Sequence, residues 1–121
     1  MAIHNLIGEA GEKEAIAYLI QQGYAILHTN WRYRKYEIDI IAQSTDELII
    51  VEVKTRSAGF LVSPLEAVTN AKIKRIVSAT EAFVLRANID LSIRFDIVSV
   101  VKTTAGYDIE HVKNAFYSPI W

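Results

Sequence analysis

Two apolar segments that carry acid groups constrain this chain more than anything else in it. They are Glu37-Ile38-Asp39-Ile40-Ile41-Ala42 and, past a short polar stretch, Ile49-Ile50-Val51-Glu52-Val53-Lys54. Each reads as a strand, in which residues two apart share a face. Glu37 and Asp39 are therefore expected on one side, where Glu52 and Lys54 can meet them. Ile38, Ile40, Val51 and Val53 are expected on the other. A charge buried in such strands without a partner is costly. A hard divalent cation relieves converging carboxylates, because it takes oxygen ligands and keeps waters of its own.

With 121 residues, 51% of them hydrophobic and 22% charged, the chain is expected to be one folded domain over 1–121 rather than a disordered segment. No apolar run approaches the ~20 residues of a membrane span, and Met1-Ala2-Ile3-His4 has no basic region followed by an apolar one, so no signal peptide is expected. Cysteine is absent, which excludes disulfides and thiolate metal sites. A cytoplasmic protein without a membrane partner is the expectation. The net charge of −1 argues weakly against nucleic acid, yet from Trp31 to Arg75 basic residues outnumber acidic ones eight to six.

The spacing predicts a first helix capped by Asn5 and ending before Gly23, with a core-facing stripe of Gly8, Glu12, Ala15, Ile16 and Leu19. Glu12 lies in line with that stripe, whereas Lys13 and Glu14 do not. A strand over Tyr24–Tyr33 follows, with Arg34-Lys35 turning into the Glu37–Gln43 strand. Ser44-Thr45-Asp46-Glu47 then makes a tight connection to an antiparallel Leu48–Thr55 strand. A second helix starts either at the box Ser63-Pro64-Leu65-Glu66 or at Thr69-Asn70. It runs to about Arg86 with Ile73, Ile76, Val77, Thr80, Phe83, Val84 and Ala87 on its stripe. Strands over Ile93–Val101 and Tyr107–Val112 complete an α/β fold, a mixed central sheet flanked by helices.

Asp39 and Glu52, with twelve residues between them on paired strands and Lys54 beyond, suit metal-assisted phosphodiester cleavage. The two carboxylates and the Val53 carbonyl would hold Mg2+ (or Mn2+), and Lys54 would orient the attacking water or balance charge on the phosphate. The plainer reading of Glu52 and Lys54, a solvent-facing pair on an edge strand, fits poorly with a run as apolar as Leu48–Val53.

Several segments follow in an order that resembles the YraN-like family of uncharacterised bacterial proteins. They are Gly11-Glu12-Lys13-Glu14-Ala15, Asn30-Trp31-Arg32, Glu37 to Ala42, Val51-Glu52-Val53-Lys54-Thr55-Arg56, Glu66-Ala67-Val68, Lys72, Arg94-Phe95-Asp96 and His111 to Phe116. That family looks like a branch of the PD-(D/E)XK nuclease superfamily, with a restriction-endonuclease-like core similar to that of archaeal Holliday junction resolvases. The resemblance implies that Glu12, Asp39 and Glu52 are metal ligands, that Lys54 is the catalytic lysine, and that Lys72 is the basic residue on the helix after the core strands. Tyr36 departs from the pattern, which usually has glycine before Glu-Ile-Asp.

Trp31-Arg32-Tyr33-Arg34-Lys35 interleaves rings and bases. The aromatics read first as core residues, and Arg32, Arg34 and Lys35, with Arg56 and Lys72, as contacts to DNA. Lys72 reads equally as a first-turn cation opposing the helix dipole, a penalty that a bound phosphate would reverse, or as a solvated neighbour of Lys74 and Arg75. His4, His28 and His111 form no ligand spacing. The functional expectation is a divalent-metal-dependent endonuclease acting on DNA, on branched or structured substrates, and working as a homodimer. Two alternatives stay open. One is a silent nucleic-acid-binding module of the same fold; the other is an interaction domain docking through an exposed tail, Phe116-Tyr117-Ser118-Pro119-Ile120-Trp121.

Overall fold

In the computed structural model, which describes residues 3–57 and 68–117, Gly23 takes φ +95° just after helix α1 (Ile3–Gln21). Its N–H reaches the Ile20 carbonyl and that of Tyr24 reaches Leu19, both at 3.0 Å, so the helix ends where left-handed backbone costs glycine nothing. The start differs from expectation: α1 begins at Ile3, and Asn5 lies inside it rather than capping it. Along its length Gly11, Ala15 and Leu19 are buried and Glu12 and Ile16 half-buried, close to the predicted stripe.

The remaining elements are β1 (Ala25–Tyr33), β2 (Tyr36–Gln43), β3 (Glu47–Ser57), α2 (Asn70–Ala87), β4 (Ser92–Thr103) and β5 (Gly106–Phe116). The strands lie in sequence order in one sheet. β3 and β4 are parallel, joined through α2 as a parallel pair requires, and the other neighbours are antiparallel. Each helix covers one face. This α/β architecture is compatible with the restriction-endonuclease-like core that the sequence implied.

Helix α2 uses the second of its two candidate starts. Thr69 is extended, and its hydroxyl accepts from the Lys72 N–H at 3.2 Å. The box at Ser63–Glu66 lies outside the described residues. At the other end Asn88, in left-handed conformation, donates its N–H to the Leu85 and Val84 carbonyls.

Beneath α1 pack Ala15, Leu19, Ile40, Ala42, Ile49, Val51, Val98 and Val100. Beneath α2 pack Ile38, Ile41, Leu48, Ile50, Ile76, Val77, Ala79, Phe83, Phe95, Ile97 and Phe116. Burying one large aliphatic side chain contributes about 1.5–3 kcal/mol, so the middles of β2 and β3 anchor the sheet and leave their ends free to carry charge. One expectation fails here. Ile38 and Ile40 do not share a face, because the alternation of β2 breaks at Asp39.

The C-terminal part is more ordered than expected. β5 continues past Val112 to Phe116, whose ring stacks on Phe95 with centroids 5.1 Å apart. Phe116, expected in an exposed tail, is only 8% exposed, while Tyr117 is 72% exposed. The last four residues, Trp121 included, lie outside the described residues. Both outer strands carry an asparagine in left-handed conformation, Asn30 (φ +50°) on β1 and Asn114 (φ +51°) on β5, and both ladders shift register.

Candidate active site

Glycine at position 11 lets α1 approach β3. A Cβ there would sit 2.1 Å from Thr55 Oγ1 and 2.5 Å from its Cγ2, which no side chain tolerates. The close approach brings Glu12 onto the end of the β2–β3 hairpin, although it is far from that hairpin in sequence.

The hairpin opens at the same place. Paired residues run from Gln43↔Leu48 to Ile40↔Val51, and the next pair in that register would set Asp39 directly opposite Glu52. Two carboxylates so placed repel. Instead the strands part, and the Val53 N–H donates to Asp39 Oδ2 at 2.8 Å. The result is a cleft of about 770 Å³ lined by Glu12, Asn30, Arg32, Glu37, Asp39, Val53, Lys54 and Thr55.

Asp39 carries the electrostatic signature of the cleft. Burial, then the field of Glu52, and to a smaller extent Glu12, push its pKa up to about 7 against the opposing bond from Val53 and charge of Lys72. Burial also raises Glu12, with Glu37 and Glu9 adding to it and a bond from Asn30 Nδ2 to Oε1 (2.8 Å) resisting.

Glu52 is buried and faces the α2 side. Lys72 Nζ lies 2.5 Å and Lys54 Nζ 3.3 Å from its Oε1. Lys54 is held below the usual lysine range by burial and by Lys72. Lys72 is raised: burial opposes its charge, but the bonds to Glu52 and Lys54 outweigh that. Lys54 also lines the cleft, so it joins Glu52 to Asp39 and Glu12. Of the two readings of Lys72, the first-turn cation is the one realised, paired with Glu52 while Lys74 and Arg75 are exposed.

The remaining basic residues divide. Arg32 lines the cleft and pairs with Glu37 at 3.3 Å. Arg34 and Lys35 form the exposed β1–β2 turn and do not line the cleft. Arg56 is half-buried on β3, and its Nε is buried with no hydrogen-bond partner among the described residues. Tyr36, the departure from the family pattern, packs on the cluster beneath α2 and leaves the cleft clear.

Among the described residues, no three histidine, cysteine or carboxylate groups stand close enough to form a ready cage for a metal ion. The donor chemistry nonetheless fits one. Asp39 and Glu12 offer hard oxygens in one cleft, both with pKa raised by burial and by neighbouring carboxylates, which a bound cation would offset. Glu52 has lysine ammonium groups where a cation would otherwise compensate it.

The model of the uncharacterised protein family UPF0102 matches residues 11–100, a span that takes in Glu12, Asp39, Glu52, Lys54 and Lys72. The chain belongs to UPF0102. It is 56% identical over 119 residues to a UPF0102 protein of Parabacteroides distasonis, covering 98% of each chain. It is 48% identical to one of Phocaeicola vulgatus over the full length of both. A third, from Flavobacterium psychrophilum, is 48% identical over 117 residues, covering 97% of this chain and 98% of the relative. The YraN-like resemblance read from the segments is thereby met.

This UPF0102 chain holds a second charged centre that sequence reasoning passed over. On the α1 side of β4, Arg94 grips Asp96 with two bonds, Nε to Oδ1 at 2.9 Å and an Nη2 contact to Oδ2 at 2.8 Å. The same guanidinium reaches the Tyr24 hydroxyl and Glu47. His111 Nε2 lies 2.7 Å from Asp96 Oδ2, its Nδ1 is 3.0 Å from the Tyr18 hydroxyl, and the Asn114 N–H closes on Oδ1. Burial works against the Asp96 charge, but the bonds from His111, Arg94 and Asn114 win and lower its pKa. The test applied to Glu52, charge within an apolar central strand, would have marked Arg94-Phe95-Asp96 as well. Asn30 had no such signal, since only the fold brings it to Glu12.

Proposed function

We propose that this UPF0102 protein is a divalent-metal-dependent endonuclease acting on DNA, with branched or structured DNA as its substrate class. The observation that carries the reading is Asp39. It is a half-buried carboxylate with its pKa raised to about 7, set in a cleft with Glu12 and Lys54 and in the field of Glu52. Asp39, Glu12 and Glu52 would hold the cation. Bound Mg2+ or Mn2+ supplies Lewis acidity toward a phosphoryl oxygen and toward a water.

The chain's own groups do the rest. Lys54, held below the ordinary lysine range, is suited to orient or deprotonate the attacking water. Lys72, at the N-terminal turn of α2, can pass from Glu52 to a phosphate once a cation compensates that carboxylate. Arg32 on the cleft wall and the half-buried Arg56 on β3 supply further charge for the backbone of the nucleic acid. A cytoplasmic location goes with this reading. So does a two-fold pair able to engage two arms of a branched duplex.

A second reading, a nucleic-acid-binding module without turnover, draws on the two lysines that satisfy Glu52 without a cation. Incubation with Mg2+ or Mn2+ and a panel of branched, single-stranded and duplex DNA separates the two. Cleavage that disappears in chelator, in Asp39→Ala and in Glu52→Ala, but persists in Glu14→Ala, supports the enzyme. Metal-independent binding without cleavage of any substrate in the panel supports the silent module instead.

A further inference from the structure

At the end of the β1–β2 hairpin, on the side away from the cleft, two arginines lie against two rings. The Arg86 guanidinium, from the last turn of α2, is 5.9 Å from the Trp31 ring centre and 5.2 Å from that of Tyr33. The Arg34 guanidinium lies 5.1 Å from the same Tyr33 ring. Trp31 is fixed from below by an edge contact to Phe83, centroids 5.3 Å apart. Arg34 is held out by a turn in which it adopts φ +58°, an unusual conformation for a residue with a side chain.

Arg34 and Arg86 are exposed, Trp31 and Tyr33 half-buried. Among the described residues neither arginine pairs with a carboxylate, in contrast to Arg32 with Glu37 and Arg94 with Asp96. Rings hold these two guanidinium groups in place without cancelling their charge. Such an arrangement presents a flat cationic face, which suits a ligand that combines a planar π-system with negative charge.

We propose that Arg86, Trp31, Tyr33 and Arg34 form a stacking platform for an unpaired base of a single-stranded nucleic-acid segment. Stacking on guanidinium and aromatic planes is how single strands are held without reading sequence. The platform adjoins the cleft. Tyr33↔Tyr36 closes the hairpin, and the next pair, Arg32↔Glu37, already lines the cleft wall. A strand rounding the hairpin end can rest a base on the platform while its backbone enters the cleft. The inference rests on the nucleic-acid part of the proposed function and is independent of the metal.

The experiment is fluorescence anisotropy of the full chain, in EDTA, with three labelled probes: a short oligothymidine, its abasic counterpart of equal charge, and a duplex of the same length. Wild type should bind oligothymidine about 5-fold or more tighter than the abasic strand, the lower end of stacking strength. The Arg34→Ala/Arg86→Ala double variant should lose that preference. Arg86→Lys should keep the salt dependence and lose most of the preference, since it preserves charge but not the plane. Both arginines are exposed, and circular dichroism confirms that the variants fold.

A double variant that keeps the wild-type preference overturns the platform, as does equal weakening on intact and abasic strands, which marks charge alone. If Arg32→Ala weakens binding while the platform variants behave as wild type, the platform falls and the cleft reading stands. If wild type binds none of the probes, the nucleic-acid reading falls with it.

Discussion

Val53 gives its backbone N–H to the side chain of Asp39 at 2.8 Å, where a regular hairpin would have given it to the backbone of β2. One carboxylate oxygen thereby does structural duty at the point where the strands part. The other accepts no hydrogen bond among the described residues. Burial and Glu52 raise its pKa, so a proton or an added positive charge stabilises the site.

The pH dependence of stability follows from that shift. Unfolded, Asp39 ionises near 3.8; folded, near 7. Between the two the folded chain keeps a proton that the unfolded chain has lost, so this group's contribution favours folding below 3.8 and fades as pH rises to about 7. The limiting slope is about 1.4 kcal/mol per pH unit. Asn at position 39 can still accept from Val53 and carries no charge. Urea titrations should show Asp39→Asn gaining on wild type as pH rises through this range, and a constant difference across it would refute the assignment.

Lys72 and a cation compete for Glu52. Lys72→Met should tighten Mn2+ binding measured by calorimetry, because the ammonium group no longer has to leave. The same substitution should weaken DNA binding by removing a phosphate contact. Weaker Mn2+ binding in the variant would mean that Lys72 supports the metal site rather than occupying part of it.

Gly11→Ala should destabilise the chain by about 1–3 kcal/mol, the usual cost of forcing a methyl group into a packed contact. Thr55→Ala, which removes Oγ1 and Cγ2 from the clash, should recover part of the loss in the double variant. Purely additive losses in a double-mutant cycle would show that the two positions do not meet.

Asp96 anchors the second charged centre with its side chain fully buried. Asp96→Ala should cost about 3–5 kcal/mol, because it leaves Arg94 buried without its principal partner. Its folded pKa is depressed, so the wild-type advantage should be present above the ordinary aspartate value of 3.8 and lost as pH falls through the lower folded value. Comparison of wild type and variant by acid titration followed by circular dichroism measures both effects.

The element order and the β2–β3 hairpin were legible because they depend on local signals. A continuous apolar run marks β3, Thr69 marks the start of α2 and Gly23 the end of α1. The break at Asp39 was not legible. Period-two reasoning takes each strand alone, whereas the break arises from what would face Asp39 across the hairpin. The Asn30–Glu12 bond and the Gly11–Thr55 contact were hidden for a related reason, since each joins segments that only the packing of α1 brings together. Arg94 and Asp96 carry a signal that went unused, charge within an apolar strand, whereas His111, which completes their centre, sits on the neighbouring strand with no spacing to announce it.

The two left-handed asparagines, Asn30 and Asn114, sit on the outermost strands, near the places where each ladder slips register. A free strand edge is a template on which another chain can add itself, and irregular edges are how sheet proteins resist open-ended aggregation. Each border of this sheet is interrupted, so neither outer strand runs regular along its whole length. A sheet continued from one copy to the next would have to cross those interruptions, whereas side chains on the faces and ends meet no such obstacle.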